Sequence, residues 1–368
     1  MKKVVIIGGG VVGLHLARRL AELSINVVVH ESKRSVAEGA DKASGILSIN
    51  GLKKIGLDYK DSVLNVLYGA YLKSGKGRLR IKSKEPMAYV LDRGKLAESC
   101  ERAARIAGAE VVLGSRLSAG ELIDLTHEGN IVIGADGAVS TVAKTFGFPA
   151  LEDYVLTYKA EFDGVKIEEK EMVELYFSKE FAHGLFGWHV PYSEKLVEIG
   201  LGIDQRKKVT SKKAFEKFIR SGSIDVDLSK GKLIGEHASI IPISARKTTA
   251  KENVALVGDA AGQVKATTGG GIIYGCLCAE TLAKTVKDCI ENGADLKQYE
   301  KLWRQKYGKD LKLHRIAHSY YTRAGEKNLE RSFRIMKAIG MDRFLGKYGD
   351  MDSPSMILKR FLLRELAG

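Results

Sequence analysis

Glycines and carboxylates at the ends of apolar runs are the residues of this 368-residue chain with chemistry to offer. Gly8-x-Gly10-x-x-Gly13 follows one such run. Its first glycine permits a sharp turn, the second lets a pyrophosphate reach the backbone, and the third allows close helix packing. The free N–H groups and dipole of the helix start then favour the anion. Glu31 lies 18 residues past Gly13, where a carboxylate accepts both ribose hydroxyls of an adenosine and repels a 2′-phosphate. FAD and NAD fit this pair; NADP does not.

Two further corners separate the two cofactors. Ile131-Val132-Ile133-Gly134-Ala135-Asp136-Gly137 and Val254-Ala255-Leu256-Val257-Gly258-Asp259 are apolar runs ending in Gly/Asp turns. Asp259 can accept a hydrogen bond from a ribityl hydroxyl, while Gly269, Gly270 and Gly271 let backbone N–H groups approach a flavin ring. The dipole of the following helix favours negative charge on a reduced flavin. An NAD-dependent dehydrogenase built on the first unit alone leaves the Asp136 and Asp259 turns unexplained.

The elements that must hold these corners follow from periodicity. Lys3 to Ile7 is a β-branched run, Val11 to Leu23 recurs at helical spacing, and Asn26 to Glu31 is a second β run, giving a parallel βαβ unit. Val66 to Leu72 and Arg78 to Ile81 flank Ser74-Gly75-Lys76-Gly77 and predict a hairpin. Ala88 to Leu91, a helix near Lys95 to Ala107 and Glu110 to Leu113 resume the α/β order. Strands are then predicted over Val155–Phe162, Met172–Ser178, Leu185–Val190 and Leu196–Ile203, an antiparallel sheet. A helix from about Gly271 to Ile290 and a helical, basic remainder complete the chain.

Three ordered motifs make the sequence similar to the glutathione-reductase-like flavoproteins of the hydroxylase branch. Gly258-Asp259-Ala260-Ala261-Gly262, followed by Gln263 to Thr268 and Gly269-Gly270-Gly271-Ile272, resembles the geranylgeranyl reductase family, including its archaeal digeranylgeranylglycerophospholipid reductases. Phe186-Gly187-Trp188-His189-Val190-Pro191 resembles the aromatic segment that borders the family's isoprenoid channel, and Gly349-Asp350-Met351-Asp352-Ser353-Pro354 resembles its C-terminal end. The resemblance implies an α/β fold: a glutathione-reductase-like FAD-binding Rossmann domain of three-layer ββα type, an inserted antiparallel substrate domain and a C-terminal helical segment. The expected limits are 1–65, 86–150 and 246–295 for the FAD domain, 66–85 and 151–245 for the substrate domain, and 296–368 for the basic helical segment. By matching position it implies FAD contacts from Val12, Glu31, Arg93, Leu117, Asp259, Gly271 and Ile272, with Ala43, Ser44 and Gly45 beside the isoalloxazine. Phe186 and Trp188 are candidates for the substrate wall. Tyr274, also counted on that side, can face either the flavin or the core. Many relatives carry Cys in the turn before Gly45 and Pro at 266, whereas Lys42-Ala43-Ser44-Gly45 holds no thiol and residue 266 is Ala. No catalytic residue is assigned.

Composition limits the alternatives. A hydrophobic share of 45% with 28% charged residues supports a buried core, and Gly at 40 without a triplet period argues against collagen-like sequence. Cys100, Cys276, Cys278 and Cys289 have neither zinc spacing nor a disulfide framework, so no metal and a cytoplasmic setting are expected. Net charge is +14, and residues 301–368 hold 16 Lys and Arg against 7 Asp and Glu. With no nucleic-acid motif beside it, this excess points to an anionic membrane surface at the inner face, and the last helix places Ile357, Leu358, Phe361, Leu362 and Leu366 on an apolar side. Packing of that side onto its own domain is an equal alternative. The expected activity is reduction of carbon–carbon double bonds in a long isoprenoid lipid, with NAD(P)H or a ferredoxin-like carrier as electron donor. A flavin-dependent aromatic monooxygenase and a catalytically silent flavin- and lipid-binding protein are the alternatives.

Overall fold

The computed structural model describes residues 3–367. A six-stranded sheet runs in the order Ala250–Lys251, Val254–Leu256, Ile131–Gly134, Val4–Ile7, Val27–His30, Glu110–Val112, parallel throughout except for its first pair. Its strands are β-branched because both faces are covered. Val4, Ile6, Ile131 and Ile133 point into a core shared with helices Val11–Glu22, Arg93–Ile106 and Ile272–Asn292. Val132, Val254 and Leu256 point the other way, against Leu122, Val142 and Phe148.

A three-stranded antiparallel sheet, Ile46–Ser48, Ala88–Leu91 and Val63–Leu67, forms the third layer. Leu47 and Leu91 belong to the core of the parallel sheet, whereas Leu67, Ala88 and Val90 meet a second, larger sheet. The strand predicted over Val66–Leu72 is therefore two strands. The chain leaves the small sheet after Leu67 and enters the large one at Gly69, where a Cβ would lie 2.1 Å from the Ile81 carbonyl oxygen. Only glycine permits that approach.

The large sheet has seven strands in the order Lys232–Pro242, Tyr154–Asp163, Leu196–Asp204, Gly184–Pro191, Met172–Tyr176, Gly69–Ser74, Gly77–Lys82. Alternation decides its two faces. Val197, Ile199, Leu201 and Ile203 lie under helix Ser211–Arg220, with Phe215 and Phe218. Phe186, Trp188 and Val190 take the opposite face, against the small sheet. Four helices, Gln298–Arg323, Glu326–Ala338, Met341–Tyr348 and Pro354–Ala367, finish the chain. Among the described residues no helix is long and apolar enough to cross a membrane.

Candidate flavin and lipid site

Register brings the three glycine-and-acid corners to one edge. His30 pairs with Ile7, Ile7 with Gly134, and Gly134 with Leu256, so Glu31, Gly8, Asp136 and Gly258 all follow the C-terminal ends of neighbouring parallel strands. This is the edge at which open α/β sheets bind ligands. Helix Val11–Glu22 starts at Gly10 with no side-chain cap, and a Cβ on Gly10 would meet nothing within 4 Å. At Gly13 the same atom would lie 2.1 Å from the Gly8 carbonyl oxygen. The turn is thus tight where the helix closes and open where a phosphate would sit against unspent N–H groups.

Glu31 is buried, with Oε2 accepting the Gly9 N–H at 2.7 Å and Oε1 the Lys33 N–H at 2.9 Å. That fixes the carboxylate while leaving lone pairs for ribose hydroxyls. Leu117 packs with Ile7 against the far face of the parallel sheet, on the segment that follows strand Glu110–Val112. Asp136 accepts the Val142 N–H through Oδ2 at 3.1 Å, which holds the start of the helix at Thr141, and its buried Oδ1 has no partner. Burial raises its carboxyl pKa, against hydrogen bonds from Ser140 and backbone amides.

The second half of the site forms where Val12 meets Gly258 and Gly275. A Cβ on Gly275 would lie 2.6 Å from Val12 Cγ2, and one on Gly271 would lie 2.3 Å from Asp259 Oδ1. Helix Ile272–Asn292 begins at Gly271 without a side-chain cap, so the amides at Ile272 are free to face a ligand. Burial raises the Asp259 carboxyl pKa, and Arg93 opposes the rise. Arg93, the first residue of its helix, also feels Tyr192 and Glu198. Arg93 Nε and Ser44 Oγ are buried without partners, beside a turn in which a Cβ on Gly45 would lie 2.1 Å from the Leu91 carbonyl oxygen. Unpaired buried groups of this kind need an outside partner. Two uncapped helix starts, an anchored ribose-type carboxylate and orphaned buried polar groups fit FAD.

Trp188 and Phe186 stand on the large-sheet face that meets the small sheet, packed with Leu67, Val90 and Val190. Trp188 lies over Gly200, where a Cβ would come within 2.3 Å of its ring. Glu198, fully buried, accepts the Trp188 indole N–H at 2.7 Å, the Tyr192 hydroxyl at 2.7 Å and Lys159 Nζ at 2.7 Å. Sequence reasoning missed this hub; its signal was a lone carboxylate among Val197, Ile199 and Gly200 on a predicted strand. Tyr274 requires a correction. It is 2% exposed, edge-on to Tyr307 and His314, with its hydroxyl donating to the Asp352 carbonyl, so of the two faces open to it in the sequence it takes the core and braces the C-terminal segment. His189 points away from Trp188 and is buried, with Nδ1 3.7 Å from Glu174.

The flavin-side loop has a second brace. Lys265 Nζ is 2.5 Å from Asp352 Oδ1, and Ser48 donates to Asp352 Oδ2. Lys265 and Gly270 form an isolated bridge, so the pair fixes the loop just before the Gly271 helix start. His314, bonded to Thr267 through Nδ1 at 2.7 Å, is pushed down to about 4 by burial and then by Lys265, and is neutral at pH 7.

A parallel sheet with three cofactor corners at one edge, a three-stranded third layer and an inserted antiparallel sheet defines a flavin-dependent oxidoreductase. The sequence model described as Lycopene cyclase protein matches residues 3–361. An uncharacterized protein of Methanocaldococcus jannaschii is 27% identical over 95% of this chain and 92% of its own. Digeranylgeranylglycerophospholipid reductase 2 of Methanothermobacter thermautotrophicus is 30% identical over 84% of each chain. In fold, a geranylgeranyl bacteriochlorophyll reductase-like protein of Thermoplasma acidophilum superposes with a TM-score of 0.80 at 19% identity, covering 97% of this chain and 94% of that one. The chain belongs to this flavoprotein family and, within it, to the geranylgeranyl reductases of the archaeal digeranylgeranylglycerophospholipid reductase type.

Proposed function

We propose that this oxidoreductase saturates the geranylgeranyl chains of a membrane ether-type glycerophospholipid, working from the cytoplasmic side of the bilayer. The observation that supports the reading is the apolar cluster of Phe186, Trp188 and Val190, which packs on the small sheet and takes in Ile46, the neighbour of the Gly45 turn. An isoprenoid has little polar surface to grip, so affinity must come from area, about 0.8 kcal/mol per buried CH₂. The relatives named as digeranylgeranylglycerophospholipid reductases support the same substrate class.

The chain's own residues divide the work. The amides at Val11 to Gly13 and the Glu31 carboxylate would hold the pyrophosphate and ribose, and Asp259, Arg93 and the Ile272 helix start would orient the ring end. Reduced FAD, when bound, would supply a hydride to one alkene carbon and return to the oxidised state, while a proton goes to the other carbon. Glu198 keeps Trp188 in one orientation and the apolar face excludes water, so the reacting alkene is positioned in a dry setting. A route through a thiol in the Lys42–Gly45 turn is closed to this chain, since no Cys stands there.

The test is anaerobic reduction of the purified protein with dithionite, addition of a digeranylgeranyl glycerophospholipid, and mass spectrometry of the product. A gain of two hydrogens per double bond is expected. In a parallel aerobic assay with NAD(P)H, gain of one oxygen from O₂ would identify a monooxygenase, and stable FAD with no turnover in either assay would identify a silent lipid-binding protein. Running the same assay with NADH, NADPH or reduced ferredoxin identifies the electron donor.

A further inference from the structure

A cavity of about 300 Å³ lies outside the flavin site, between the helix Ile49–Ile55 and the C-terminal helices. Lys53, Lys54, Lys347 and Arg360 line it, and Asp350 is its sole carboxylate. Asp350 is taken up by Lys54, 3.5 Å away, which also donates to Ser353 Oγ at 3.1 Å. Among the described residues, Lys53, Lys347 and Arg360 have no carboxylate within ion-pair distance. Lys347 and Arg360 are gathered instead over the Tyr348 ring, at 5.0 and 6.0 Å from its centre. Three exposed cations without carboxylate partners around one concavity raise its positive potential and favour an anion there, more so at low salt.

The helix that supplies Arg360 continues as an apolar surface. Phe361 turns inward onto Phe344, with ring centres 5.3 Å apart, but Met356, Leu358, Leu362 and Leu363 are 41–55% exposed. Exposed leucines flanked by Lys359 and Arg360 beside a cationic pocket match the two halves of a bilayer surface, acyl chains below and phosphates above. The pocket also adjoins the lipid wall: Gly349 and Asp350 line it, and the next residue, Met351, packs against the cluster containing Phe186 and Trp188.

We infer that this face docks on an anionic bilayer. The phosphate of an anionic phospholipid enters the Lys53–Lys347–Arg360 pocket, and Met356, Leu358, Leu362 and Leu363 insert beside it. The purpose of such docking, delivery of a membrane-resident substrate, rests on the reductase reading; the binding itself does not.

The experiment is co-sedimentation of the FAD-loaded full chain with phosphatidylcholine vesicles that contain or lack phosphatidylglycerol. Binding only to the phosphatidylglycerol vesicles, weakened by salt, is expected. Lys53→Gln/Lys347→Gln/Arg360→Gln should lower partitioning about fivefold per cation, hence on the order of a hundredfold. Leu358→Ser/Leu362→Ser should weaken it independently, and unchanged FAD content and melting temperature show that each variant is folded. Equal binding by wild type and the triple variant, or no binding to phosphatidylglycerol vesicles, overturns the inference. Inorganic phosphate that raises the melting temperature of the wild type while vesicles stay unbound would reassign the pocket to a soluble phosphate. Vesicle binding without lipid reduction leaves docking intact and removes the reductase reading; the converse result separates them the other way.

Discussion

The indole N–H of Trp188 points at Glu198 Oε1 across 2.7 Å, and the other oxygen of that carboxylate holds Lys159 and Tyr192. The orientation of the Trp188 ring, the wall proposed for the substrate, is therefore fixed by a buried charge. Glu198→Ala leaves the buried Lys159 ammonium with Glu161 as its one remaining carboxylate partner, 3.0 Å away, and strips the Trp188 N–H and Tyr192 hydroxyl of their acceptor, so it is expected to destabilise the protein by about 3 kcal/mol. The double variant Lys159→Met/Glu198→Leu should regain part of that loss, since it removes both charges but not the two stranded donors. Urea unfolding of the three proteins measures this, and an equal loss in single and double variants would show that the pair is not the source.

Glu31 touches two backbone amides and is placed to take the ribose. Charge-assisted hydrogen bonds contribute about 1.5–3 kcal/mol, so Glu31→Ala should raise the FAD dissociation constant by roughly 10- to 100-fold. Quenching of flavin fluorescence on titrating apoprotein gives the number. An unchanged constant places the adenosine elsewhere.

Acid stability should depend on Glu174. Burial disfavours its charge, but hydrogen bonds from Lys73 and Tyr176, with the His189 ring 3.7 Å away, outweigh that and bring its pKa down to about 2. Because the folded value lies below the unfolded one, the stabilisation is complete above the ordinary Glu range and is lost as pH falls toward 2. After allowance for partial exposure it amounts to about 2 kcal/mol. Glu174→Gln should lower stability at pH 7 by that order and flatten the decline between pH ~4.5 and ~2. A decline as steep as that of the wild type would assign the acid sensitivity to other carboxylates.

Legibility in the sequence followed locality. Gly8-x-Gly10-x-x-Gly13 and Glu31 lie within one βαβ unit, and the Gly/Asp corners end strands whose β-branched runs are unbroken, so their meeting at one edge could be foreseen. Strand Lys232–Pro242 could not, because it is an edge strand with Leu233 and Ile234 facing solvent and Gly235-Glu236-His237 interrupting any alternation. Helix Ser211–Arg220 offers only Ala214, Phe215 and Phe218 as a buried stripe, too short to stand out among lysines. The switch of sheets at Tyr68 depends on a backbone approach that composition does not encode. Tyr274 was ambiguous for a related reason: helix phase shows that a residue is buried, but only the arrival of Asp352 decides what it touches.

Breaking the Lys265–Asp352 pair should cost more in flavin retention than in folding alone. Lys265→Met leaves Asp352 buried with Ser48 as a side-chain partner and should weaken FAD binding by at least about tenfold, while Lys265→Met/Asp352→Asn recovers much of the stability. Flavin release on dilution, compared with the melting temperature of the apoproteins, separates the two effects. Full retention in both variants would make the pair a structural tie alone.

The partners in that tie are 87 residues apart. As the chain leaves the ribosome, the glycine loop emerges long before the aspartate that fastens it. Residues up to the long Ile272–Asn292 helix can assemble early, but the ring-facing loop stays unfastened until Gly349–Ser353 has been made and folded back. If that loop contacts the flavin as proposed, cofactor capture comes late in synthesis, and a nascent chain cut short before Asp352 is expected to have a Rossmann core that holds its flavin less tightly.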